Sequence, residues 1–157
     1  MILALLLSVA SLLACVGGQG NATSPAATNG SNRGMGNSNS AKTNVEELGL
    51  LVKVPYATED IVWKEYPTSK KVIAILRFSS ADANKIVAEA GGIPERTGIA
   101  VESWFPEELI AQTEMSGDNA LKGVSYPATA FYQEPYTIGK ITRVDGSDYF
   151  ILELIAR

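Results

Sequence analysis

Glu102, Glu107, Glu108 and Glu114 crowd into one part of this chain, interleaved with Trp104, Phe105, Tyr126, Phe131, Tyr132 and Tyr136. These are the side chains with the clearest chemical potential. A pair of carboxylates about 5–10 Å apart across a cleft hydrolyses glycosidic bonds. Glu107 and Glu108 are neighbours that diverge on a helix, where they complement the dipole of its first turn instead. The aromatics suit recognition, because Tyr and Trp bury much area while keeping one polar handle. On this reading Trp104, Tyr126, Tyr132 and Tyr136 form a partner-binding surface. The alternative is that the same rings pack beneath loops as a satellite core. Asp145-Gly146-Ser147-Asp148 has oxygen ligands for calcium but not the full EF-hand spacing, and Asp-Gly is a strong hairpin signal.

The chain of 157 residues has no histidine, and Cys15 is its one cysteine. Zinc sites of the Cys/His type, Ser-His-Asp and Cys-His machinery and c-type haem attachment are therefore excluded. Acid–base chemistry is left to carboxylates, Lys and Tyr. The sequence calls for no cofactor. Net charge is −4; residues 44–157 hold 11 basic and 17 acidic side chains. Nothing in that balance reads as the basic footprint of a nucleic-acid binder.

The elements that must position these residues follow from the hydrophobic pattern. Residues 45–54 fit a helix opened by Thr43-Asn44-Val45-Glu46 or an alternating strand; periodicity leaves both open. Strands are predicted over 60–66 and 71–78, the second apolar on both faces. Ser79 caps a helix over 80–90, with Ala83, Ile86, Val87 and Ala90 on one stripe and Gly91-Gly92 as its stop. A strand over 99–105 and a helix from Pro106 to Ser116-Gly117 come next. Residues 118–128 read as a loop and 129–133 as a short strand. Asp145-Gly146 closes a hairpin of 139–144 with 147–156, in which Ile141 opposes Phe150 and Arg143 opposes Asp148. Phe150, Leu152 and Leu154 share one face of an internal strand. Tyr149, Ile151 and Ile155 share the other, interrupted by Glu153. The fold class is α+β: a single small domain with a mainly antiparallel sheet of four to six strands and two helices on one face.

Residues 1–16 are uncharged and apolar, too short to span a bilayer and followed by Gly17-Gly18-Gln19-Gly20. Leu12-Leu13-Ala14-Cys15 resembles the lipobox of bacterial lipoprotein precursors: an aliphatic residue three before the cysteine, a small one directly before it. Met1-Ile2-Leu3 lacks the Lys or Arg usual in that family. The resemblance implies a signal peptide over 1–14, cleavage before Cys15 and a diacylglyceryl thioether on its sulfur. Two acyl chains anchor stably where one binds marginally.

Residues 16–43 are nearly all Gly, Asn, Ser, Ala and Thr and cannot bury enough apolar area to order themselves. As a flexible coil they span about 30 Å r.m.s.. The expected organisation is a leader (1–14), a lipidated cysteine with its tether (15–43) and a globular domain (44–157). The expected function is a membrane-anchored envelope lipoprotein. Its non-catalytic domain binds an envelope protein or glycan, and its bilayer partner is reached through acylated Cys15. The rival readings are a carboxylate-dependent enzyme acting on cell-wall polymers and a purely structural envelope domain.

Overall fold

Lys71-Val72-Ile73-Ala74-Ile75-Leu76-Arg77-Phe78 is rich in β-branched and apolar types, so both faces of a strand built from it seek cover. It forms a strand in the interior of a six-stranded sheet, and five of its residues in a row are buried. The structure is a computed structural model and describes residues 40–157, which belong to the unit Gly34–Arg157. Cys15, the signal peptide and most of the tether lie outside the described residues.

The elements in chain order are α1 (Val45–Gly49), β1 (Thr58–Tyr66), β2 (Lys71–Phe78), α2 (Ser80–Glu89), β3 (Glu95–Ala100), α3 (Glu107–Ser116), β4 (Ala120–Pro127), β5 (Tyr136–Val144) and β6 (Tyr149–Ala156). The sheet runs β1-β2-β6-β5-β4-β3, every neighbour antiparallel. The α+β class and the antiparallel sheet are as the sequence predicts.

Residues 45–49 form the short helix rather than a strand. Its cap is Asn44, whose side chain accepts from the Glu47 backbone N–H, one position later than the predicted box. Lys42 exchanges two backbone hydrogen bonds with Trp63 on β1, so the fold includes Lys42, ahead of the predicted boundary at residue 44. Ser79 caps α2 as expected, accepting from the Asp82 N–H.

The helices do not share a face, which corrects the expected layering. Ala83 and Ile86 of α2 and Leu48 of α1 pack with Trp63, Leu76, Phe78, Phe150, Leu152 and Leu154 on one side. Leu109 of α3 and Phe105 pack with Ile73, Ile75, Tyr149 and Ile151 on the other. Phe150, Leu152 and Leu154 thus occupy the first face, Tyr149 and Ile151 the second, as their alternation requires.

Four local expectations are overturned. Residues 120–127 are strand β4, not loop. A Cβ at Gly123 would stand 2.3 Å from the Arg143 carbonyl oxygen. The glycine admits a close neighbour strand rather than a turn. The strand predicted over 99–105 lies at 95–100 instead, and the Phe105 N–H turns back onto the Glu102 carbonyl at 3.0 Å. Thr129–Phe131 is a 3₁₀ turn, not a strand. In the final hairpin Ile141 opposes Leu152 and Arg143 opposes Phe150, a shift of two positions. The strands are joined by residues 145–148, and the Asp148 carbonyl accepts from the Phe78 N–H. An even shift preserves both faces. Arg143 still meets Asp148 at 2.8 Å, now from strand to turn.

Candidate functional site

The four predicted aromatics do not make one surface. Tyr126, Tyr132 and Tyr136 pack against the core on the first face, and Trp104 belongs to the second. Tyr136 is only 5% exposed, and its hydroxyl donates to Glu65 at 2.8 Å. Burial, then that hydrogen bond, pushes its pKa up to about 12. The Tyr132 hydroxyl donates to the Gly139 carbonyl at 2.9 Å and accepts from the Gly139 N–H at 3.2 Å. Its polar handle is used within the fold.

Tyr126 lines a cavity of about 340 Å³ together with Val124, Arg143 and the 145–148 turn. The charged groups there are already engaged. Arg143 donates to Ser147 O at 3.3 Å, to Asn84 Oδ1 at 3.0 Å and to Asp148 Oδ1 at 2.8 Å. Asp145 pairs with Arg96. This is the chemistry of a braced turn.

Trp104 leads to a different site. Tyr66, the last residue of β1, donates its hydroxyl to Glu102, with Oε1 at 2.8 Å and Oε2 at 2.6 Å. The Trp104 indole N–H reaches the same carboxylate at 2.8 Å and the Tyr66 hydroxyl at 3.2 Å. Trp104 is itself braced edge-on by Phe105, ring centroids 4.7 Å apart. Burial, then the bond to Glu102, raises the Tyr66 pKa to about 12. Neighbouring Trp104 opposes that rise by donating to the hydroxyl oxygen. Of the four predicted glutamates, Glu102 alone is held in this way. Glu107, Glu108 and Glu114 stand exposed on α3, the first two in its first turn as the dipole predicts.

Beside this cluster the second face of the sheet opens. Register places Tyr66, Lys71, Ile155 and Ile138 in one row across β1, β2, β6 and β5. Lys64, Ile73, Glu153 and Lys140 make the next row. Directly opposed residues point to the same side of a sheet, so these eight side chains form one shelf. Ile138 and Ile155 are each 43% exposed, well above the core isoleucines. Glu153 holds the Lys71 ammonium at 2.8 Å and the Lys140 ammonium only at 3.7 Å. Lys64 lies over the Tyr66 ring, 5.1 Å from its centroid, and has no carboxylate partner among the described residues. Two lysines thus hold one carboxylate, and the third, Lys64, stands in the same row on β1. Glu102 and Trp104 stand along one side.

Sequence reasoning singled out Glu102 and Trp104 here but not Tyr66, Lys64, Lys71 or Lys140. The readable signal was Glu153, a charge breaking an otherwise apolar face of an internal strand. The lysines gather only through a register spanning four strands. No family model, no curated protein and no solved structure matches this chain.

Proposed function

We propose that this chain is an envelope lipoprotein, anchored through acylated Cys15, whose domain is a non-catalytic binding module. The anchor and tether rest on the resemblance of Leu12-Leu13-Ala14-Cys15 to a lipobox. The binding role rests on the shelf: an open, mixed cationic and apolar half-face on a domain whose overall charge is negative. Of the aromatics first considered for partner contact, Trp104 borders this shelf, and Tyr126, Tyr132 and Tyr136 serve the opposite face.

Two measurements test the reading. Cys15→Ala releases the protein from the membrane fraction or blocks its processing; unchanged partitioning with normal maturation refutes the anchor. Crosslinking from intact membranes captures a partner that a Lys64→Gln/Lys140→Gln variant loses. Equal capture by both removes the shelf from the account.

A further inference from the structure

The two edges of the sheet are finished differently. Along the outer side of β1, Lys42 exchanges two backbone hydrogen bonds with Trp63, and the register breaks between Thr58 and Asp60. Covers and breaks of this kind keep an edge from pairing with another chain. The edge at β3 has neither: its six residues run in unbroken register along β4. Which of its groups face outward follows from the ladder behind it. The Asp145 N–H donates to the Lys122 carbonyl, so even-numbered residues of β4 bond to β5 and odd-numbered ones to β3. Glu95, Thr97 and Ile99 are thereby spent on β4. The N–H and C=O groups of Arg96, Gly98 and Ala100 point away from the sheet, and no backbone group among the described residues bonds to them.

Such a row is answered by an extended backbone. A second copy of the same strand answers it completely in one antiparallel register. Gly98 then opposes Gly98 of the second copy and Arg96 opposes Ala100, so every outward N–H of both strands donates and every outward carbonyl accepts. A slip of two residues one way sets Ala100 against Pro94, which has no N–H. A slip the other way sets Arg96 against Glu102, beyond the end of β3. The side chains favour the same register. On the side to which Arg96 and Gly98 point, a cavity of about 470 Å³ lies over Gly98 and Ala120, bounded by Arg96, Asp118 and Lys122. Ala120 is the β4 neighbour of Ala100. Arg96 of the second copy therefore extends across two alanines toward Asp118. Both groups are accessible, Arg96 at 74% exposure and Asp118 at 43%. We propose that two copies join their six-stranded sheets through β3, with Arg96 of each copy on Asp118 of the other. So short a strand pair belongs to the weak class of interfaces, below about 1,200 Å².

The test is disulfide capture of the full chain in detergent. Cys15→Ser is included throughout, so the introduced thiol is the only one and the result does not depend on the anchor. A hydrogen-bonded cross-strand pair holds its Cα atoms about 5.5 Å apart, within disulfide reach. Gly98 admits a side chain: its φ is not positive, and an added Cβ would lie 3.5 Å from the Ala120 Cβ. Under mild oxidation Gly98→Cys links two copies well ahead of Thr97→Cys, and of Lys85→Cys on α2 as the collision control. In the Gly98→Cys background, Arg96→Glu and Asp118→Lys each slow the linkage roughly tenfold, because two symmetry-related contacts are lost at about two- to fivefold each. The two reversals combined restore it. Without any introduced thiol, the protein dimerises reversibly at high-micromolar concentration in sedimentation equilibrium. A protein that stays monomeric there, or a Gly98→Cys variant that links no faster than Lys85→Cys, overturns the proposal. Faster linkage of Thr97→Cys, or reversals that the double variant fails to rescue, overturns this register and its Arg96–Asp118 contact. Capture of a different protein by Gly98→Cys, in place of its own copy, overturns the second copy as the occupant of the edge.

Discussion

The two faces of the sheet are built from alternate residues of the same strands, yet they end in different chemistry. On the first face Trp63, Leu76, Phe78, Phe150, Leu152 and Leu154 are each at most 1% exposed, covered by α1, α2 and the 128–136 segment. On the second face, cover reaches Ile73, Ile75, Tyr149 and Ile151 through α3 and residues 101–105, then stops. Beyond that line the strands carry Lys64, Lys71, Lys140 and Glu153 where the first face carries apolar side chains. Where an antiparallel sheet meets water its strands carry polar side chains, and the uncovered half of this face does so. The difference between the faces is one of cover: the charged rows lie where no helix packs.

The comparison breaks most severely at Gly139. A Cβ there would lie 1.9 Å from the Glu153 carbonyl oxygen, at a φ of +150° that disfavours any side chain. Gly139→Ala forces β5 away from β6 and disturbs both faces at once. Its expected cost is about 4 kcal/mol or more, seen as a collapsed urea midpoint. A midpoint near that of the parent would show that the two strands are not held together at this point.

Next come the aromatics of the first face. Phe150→Ala empties a fully buried site and should cost about 3–5 kcal/mol. Tyr136→Ala, at 5% exposure, belongs in the same range. The corresponding Trp104→Ala on the second face should cost less, because that ring is only partly buried. Urea unfolding of the three variants side by side checks the order. If Tyr136→Ala stays near the parent, the packed face is looser than described.

Alkaline pH probes both faces together. Tyr66 on the second face and Tyr136 on the first both have pKa values near 12, against about 10 for an unfolded tyrosine. The folded state favours the protonated phenol. That contribution is fully present below pH 10 and is lost as pH rises through about 12. Stability should therefore fall across pH 10–12, by a few kcal/mol at most for the pair. Tyr66→Phe should remove one late-titrating phenol from the ultraviolet titration and leave that of Tyr136. Tyrosinate appearing for both at pH 10 would mean that neither phenol is buried against its glutamate.

Much of this architecture was legible in the sequence, and the failures share a cause. β2, α2 and the face assignment of β6 follow from local pattern: an apolar run, a capped stripe, an alternation. β4 was missed because Gly123 and Pro127 look like turn residues until the close approach of β5 explains the glycine. The helix layering was missed because nothing local says which face a helix chooses. The shelf was missed for the same reason. Lys64, Lys71 and Lys140 are unremarkable surface residues in one dimension, and only the cross-strand register brings Lys71 and Lys140 to Glu153 and Lys64 into the same row. Of the aromatics, Trp104 lies at the margin of the open half-face, whereas the hydroxyls of Tyr132 and Tyr136 are consumed by Gly139 and Glu65.

The smallest expected stability effect is the most discriminating. Lys64 has no carboxylate partner among the described residues and Lys140 only a loose one, so neither should matter to the fold. Exposed ion pairs contribute roughly 0–1 kcal/mol, so each Gln replacement should shift stability by no more than about 0.5 kcal/mol. Lys71→Gln is the internal contrast. It breaks the 2.8 Å contact to a Glu153 side chain only 19% exposed, leaving that carboxylate with Lys140 at 3.7 Å. Its cost should exceed that of the other two. If all three replacements destabilise equally, the lysines are one structural network and the shelf is a scaffold. If Lys64→Gln and Lys140→Gln leave stability untouched, the fold does not require their positive charge. Loss of a captured partner in those two variants then reports on the shelf and not on the fold.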